Sequence, residues 1–92
     1  MKLMAFCLYD TKTGVYHVPF FFPHPALALR AVGDLAGDTS THVGRHPMDF
    51  ALFHIGEFDD QTGVLAASTP VSLGTAHSIA MASQGTQPEL KL

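Results

Sequence analysis

Six histidines in 92 residues are the first groups to weigh for chemistry. His42 and His46 frame the run His-Val-Gly-Arg-His, a spacing that on a helix puts both imidazoles on one face, as zinc sites often require. Gly44 lies between them and Pro47 follows, so the segment reads as loop, and no acidic or thiol ligand stands immediately beside them. Loop histidines without metal are the default, and neither a metal nor a cofactor is expected. His54 falls in a strand and reads as a core histidine rather than a general base. No Ser, Cys or carboxylate is spaced with it to make a triad recognisable. Asp59-Asp60 offers two carboxylates to a cation, yet a turn already accounts for Asp59. Cys7, the only cysteine, reads as a buried, inert thiol in a strand. Nothing resembles a phosphate loop, a dinucleotide fingerprint or a familiar pair of catalytic acids. The expectation is a protein that is not an enzyme.

Nucleic-acid binding is the second chemistry to weigh. Lys12 at a turn, Arg30 on a helix and Arg45 in a loop are the candidates for phosphate. Tyr9, Tyr16 and Phe21, on strands, are the candidates for base stacking. Each has an alternative: solvated charge for the cations, core or interface packing for the rings. Phe20, Phe21 and Phe22 cannot all face one core from a single strand, because neighbours point to opposite sides. The charge argues the other way. Five Lys and Arg against eight Asp and Glu give a formal net charge of −3, and affinity for nucleic acid leans on cation–phosphate contacts. The placement of the cations separates two readings. Clustered beside an exposed ring they favour DNA; scattered around an apolar patch they favour a protein partner.

The elements that must position these groups follow from a turn written twice, Tyr9-Asp10-Thr11-Lys12-Thr13-Gly14 and Phe58-Asp59-Asp60-Gln61-Thr62-Gly63. The Asp side chain accepts the amides just ahead of it, Gly supplies a positive φ, and a valine restarts the strand. Leu3 to Tyr9 and Val15 to Phe22 make the first hairpin, with Pro19 marking the second strand as an edge or as ending early. Leu27, Ala28, Ala31, Val32 and Leu35 form one apolar stripe of a helix from Pro25 to Leu35, ended by Gly37. Gly33 inside it marks a close approach. A polar loop spans Asp38 to Pro47. Phe50 to Phe58, apolar on both faces, reads as a central strand covered on both sides. Val64 to Ala67 is a short strand broken by Pro70-Val71-Ser72-Leu73-Gly74, and Thr75 to Ala82 a short helix. The fold class is α+β: an antiparallel sheet of two hairpins with one main helix between them (ββαββ) and a short C-terminal extension. Residues 1–82 read as a single domain and 83–92 as a frayed tail.

A hydrophobic content of 47% supports a packed domain, but a chain this short limits its core, and its charge is sparse. Together these point to a surface covered by a partner, with a homodimer the simplest case. The lone cysteine allows no internal disulfide and fits a reducing compartment. The apolar N-terminal run is cut by Asp10 and Lys12, too soon for an export signal or a membrane span, so no membrane role is expected.

Several of these segments resemble the small non-structural protein of gokushoviruses, single-stranded-DNA phages of the microvirus group. They are the opening Met-Lys-Leu with Tyr-Asp-Thr-Lys-Thr-Gly, Phe20-Phe21 with its following proline, and Ala28-Leu29-Arg30-Ala31. The most specific is the run from His46 to Gly63, and Pro70-Val71-Ser72-Leu73-Gly74 fits as well. The resemblance reaches to about Ala76. It implies a protein of the host bacterial cytoplasm that binds single-stranded DNA during viral genome replication or packaging. It brings no catalytic motif. The alternative is an interaction module that docks on a phage or host replication or capsid component without touching DNA.

Overall fold

The structure, a computed structural model, describes residues 1–85. The repeated turn sets its frame. Asp10 Oδ1 accepts the amides of Lys12 at 2.9 Å and Thr13 at 3.4 Å, and the Gly14 amide donates to the Asp10 carbonyl at 2.8 Å. In the second copy Asp59 Oδ1 accepts the Gln61 amide at 2.9 Å, and the Gly63 amide meets the Asp59 carbonyl at 2.8 Å. Gly14 and Gly63 hold φ of 72° and 74°, where a side chain would be strained.

In chain order the elements are β1 (Lys2–Asp10), β2 (Val15–Tyr16), β3 (Phe20–Phe22), α1 (Pro25–Ala36), α2 (His42–Arg45), β4 (Phe50–Asp59), β5 (Leu65–Thr75) and α3 (Ala76–Gly85). All strand pairs are antiparallel. The sheet runs β2-β1-β4-β5, and β3 pairs with β1 as well. The expected second strand is thus two short strands on one edge, parted by His17–Pro19, because Pro19 has no amide to give the ladder.

One face of the sheet carries the core. Phe6, Leu8, Phe50 and Leu52 are buried there with Ala28 and Val32 of α1, Val43 of α2, and Ala76 and Ile79 of α3. Phe20 and Phe22 pack against this cluster, while Phe21 between them turns away. The His24 ring caps α1 by accepting the Ala26 amide at 3.0 Å, and Pro25 opens the first turn as expected. Gly33 faces Ile79, whose Cγ2 would lie 4.0 Å from an added Cβ, so the close approach is that of α3.

Three expectations need correction. The stretch from Asp38 to Pro47 is not all loop: α2 is a short helix, capped by Thr41, whose Oγ1 accepts the Gly44 amide at 2.9 Å. Gly44 permits it, since a Cβ there would collide with the Asp38 carbonyl. β4 is central, but among the described residues helices cover one of its faces only. Phe50 and Leu52 are buried, whereas Ala51, Phe53 and Ile55 on the other side are only half-buried. Pro70 does not end the last strand; β5 passes through it on the sheet edge, with a pairing irregularity between His54 and Gly56 that leaves Ser68 to Pro70 unpaired. The tail expected to fray begins inside α3, which runs to Gly85, and residues 86–92 lie outside the described residues.

Candidate nucleic-acid interface

Residues directly opposite each other on neighbouring strands project to the same face of a sheet. Tyr9 stands opposite Tyr16, Cys7 opposite Phe53, Ala5 opposite Phe21 and Leu3 opposite Phe58. These residues alternate with the core set of Phe6, Leu8 and Leu52, so they make the second face. The helices pack on the first face, which leaves the second without a helix over it among the described residues.

Two ring clusters form on that face. Tyr9 and Tyr16 have centroids 4.5 Å apart, and Phe53 meets them edge-on at 6.1 and 5.5 Å. Phe21 and Phe58 meet at 5.9 Å. Small residues lie beneath: Ala5 and Cys7 are buried, and burial pushes the Cys7 thiol up from its ordinary pKa, in keeping with an inert group. The outermost rings stay open to solvent, with Tyr16 48% and Phe21 40% exposed. All three expected stacking residues therefore share one open face. Phe53 lies inside the strand expected from Phe50 to Phe58, but only the register places it against the tyrosines. Phe58 was missed altogether, because a residue ending a strand before a turn gives no sign of its neighbour across the sheet.

The cations divide. Lys12 sits in the turn that joins the Tyr9 strand to the Tyr16 strand, and Arg45 ends α2, whose His42 lines a cleft with Lys12. The Arg45 guanidinium donates to the Thr39 carbonyl at 3.1 Å and reaches His42 Nδ1 at 3.4 Å. Arg30 is elsewhere, on the groove between α1 and α3. Lys2 lies 3.8 Å from Glu57, and Lys91 is outside the described residues. The paired positions of the ring-bearing face hold no Lys, Arg, Asp or Glu.

Beside the Lys12 turn a cleft of about 500 Å³ opens, lined by Asp10, Lys12, His17, His42, His46, Asp49 and Phe50. The Asp10 carboxyl is partly desolvated, which raises its pKa. The amides of Lys12 and Thr13, with the Thr13 hydroxyl and the nearby His17, outweigh that and lower it overall. His42 and His46 thus share a site, although among the described residues no group of three or more His, Cys, Asp or Glu is arranged to hold a metal ion. His54 is half-buried with its ring 5.6 Å from that of Phe6. Among the described residues no helix is long and apolar enough to cross a membrane.

A family model described as "Phage ORF5 protein" matches residues 3–79. Comparison with curated proteins and with solved structures gives no match.

Proposed function

We propose, from the premise that this chain belongs to the Phage ORF5 protein family, that it is a non-enzymatic accessory protein of the gokushovirus type. In this reading it binds single-stranded DNA during genome replication or packaging in the host bacterial cytoplasm. The observation that carries the proposal is the cluster of Tyr9, Tyr16 and Phe53 on an open sheet face, with Lys12 in the turn that joins the two tyrosine strands. Bases of any sequence stack on such rings, and Lys12 and Arg45 stand at the end of the sheet where a backbone could pass. Duplex DNA keeps its bases stacked on each other and would gain little from this face. The gokushovirus likeness of the sequence supports the same reading.

Titration of labelled single-stranded and double-stranded oligonucleotides, read by fluorescence anisotropy at low and moderate salt, tests it. Saturable binding that prefers the single strand is expected. No binding to either at low salt, with a folded protein, overturns it.

A second reading is favoured by one observation: among the described residues the paired positions of the ring-bearing face hold no cation, and Arg30 and Lys2 lie apart from it. That arrangement suits docking on a phage or host replication or capsid protein. The sparse charge of the chain also fits a homodimer, in either reading.

A further inference from the structure

Base stacking on the sheet face makes no use of the cleft at the end of the sheet. Its volume of about 500 Å³ is that of a small-molecule site. Its walls come from segments far apart in the chain. The first turn gives Lys12, the residue after β2 gives His17, and α2 with its cap gives His42 and His46. Phe50 is the apolar floor, its ring 5.9 Å from that of His17.

The donor set suits an oxyanion. An ammonium has only donors, and Arg45 beside the cleft donates to His42 Nδ1, so a neutral His42 carries its proton on Nε2. The lining also carries two carboxylates, Asp10, whose Oδ1 accepts two turn amides, and Asp49. With neutral imidazoles, Lys12 against Asp10 and Asp49 leaves the lining one formal negative charge, so an anion is favoured only once the histidines take up protons. Histidine is the side chain that changes charge between about pH 5 and 8, so a falling pH moves this lining toward positive charge. α3 meets the neighbouring loop through the His77 amide, which donates to the Pro47 carbonyl at 3.0 Å.

We infer that this cleft is a proton-coupled phosphate site, in which Lys12, the Nε2–H of His42 and the imidazoles of His17 and His46 hold a phosphate group more tightly as the pH falls. The group comes either from a small phosphate compound or from the end of a DNA strand. The site stands whether or not bases stack on the far face.

The test is titration with inorganic phosphate at about pH 6 and about pH 8, at constant ionic strength, followed by NMR of the histidine rings and the backbone amides. Saturable shifts are expected at His17, His42 and His46 and at the amides of the Lys12 turn. Binding at about pH 8 is expected to be at least ~10-fold weaker. Phosphate gains negative charge over that range, so weaker binding reports loss of positive charge on the protein. K12Q and the double variant H17Q/H46Q should each lose at least ~5-fold while keeping a dispersed spectrum. Competition with an oligonucleotide, with and without a 5′-phosphate, assigns the source. Displacement by the phosphorylated strand alone supports a strand end, and displacement by neither supports a small compound. No saturable shift at about pH 6, equal binding at both pH values, or wild-type affinity in both variants would overturn the site.

Discussion

Tyr9 and Tyr16 stand directly opposite each other across the first hairpin, with ring centroids 4.5 Å apart on a sheet face that no helix covers among the described residues. Phe53 closes the group from β4. A ring pair this close would ordinarily be read as packing. Here it lies beside solvent, and Tyr16 is nearly half exposed.

Replacing Tyr16 by Ala should weaken single-strand binding by about 1–3 kcal/mol, a factor of roughly 5 to 150. Folding should suffer little, because the ring is half exposed. Anisotropy and thermal denaturation on the same sample separate the two effects. Affinity unchanged in Y16A and in Y9A would remove the stacking account.

The salt dependence should be shallow. With Lys12 and Arg45 as the phosphate contacts, log affinity should fall with log salt at a slope of about −1.4, two contacts at about 0.7 each on a single strand. K12Q and R45Q should each flatten it by roughly 0.7. R30Q should leave it alone, since Arg30 lies on the groove between α1 and α3.

The paired turns make an acid-stability prediction. Asp10 and Asp59 both titrate below the ordinary Asp value of 3.8. For Asp59 the Gln61 amide is the largest cause, opposed by desolvation and helped by the Thr62 amide, the N-terminal ammonium and Lys2. A carboxyl lowered by folding stabilises the fold fully above its unfolded pKa and loses that contribution as the pH falls through the folded value. Stability should therefore drop below about pH 4, and D10N/D59N should show a flatter acid limb in denaturant unfolding. G14A should cost about 1–2 kcal/mol at any pH, because its φ of 72° is left-handed.

Much of this frame was legible in the sequence. The Asp-x-x-Thr-Gly spacing specified both hairpins, and Pro19 foretold a broken edge strand. What the pattern misjudged is instructive. The alternating apolar residues of β4 read as burial on two faces, yet hydrophobicity alone does not say whether a face is covered. Phe53 and Phe58 sit on the open one. α2 was hidden because Gly44 counts against a helix by propensity, while here its missing Cβ lets the turn close on Asp38. The cleft joins His17 to His42 and His46 through tertiary contacts with no trace in local spacing.

Gly44 gives a direct check of how α2 closes on Asp38. G44A would drive a Cβ into the Asp38 carbonyl and should destabilise by about 1–3 kcal/mol. G37A, where the nearest neighbour would be the Asp34 carbonyl oxygen at 3.7 Å, should be close to neutral. Equal melting temperatures for the two variants would contradict the packing described for α2.

The chain has two tyrosines and no tryptophan, so its intrinsic fluorescence comes from Tyr9 and Tyr16 alone. Titrating the protein with an unlabelled single-stranded oligonucleotide and following that emission shows whether bases reach these two rings. Stacking on the sheet face predicts a saturable quench whose midpoint matches the anisotropy titration. Binding that leaves the tyrosine emission unchanged, or no binding at all, would contradict it.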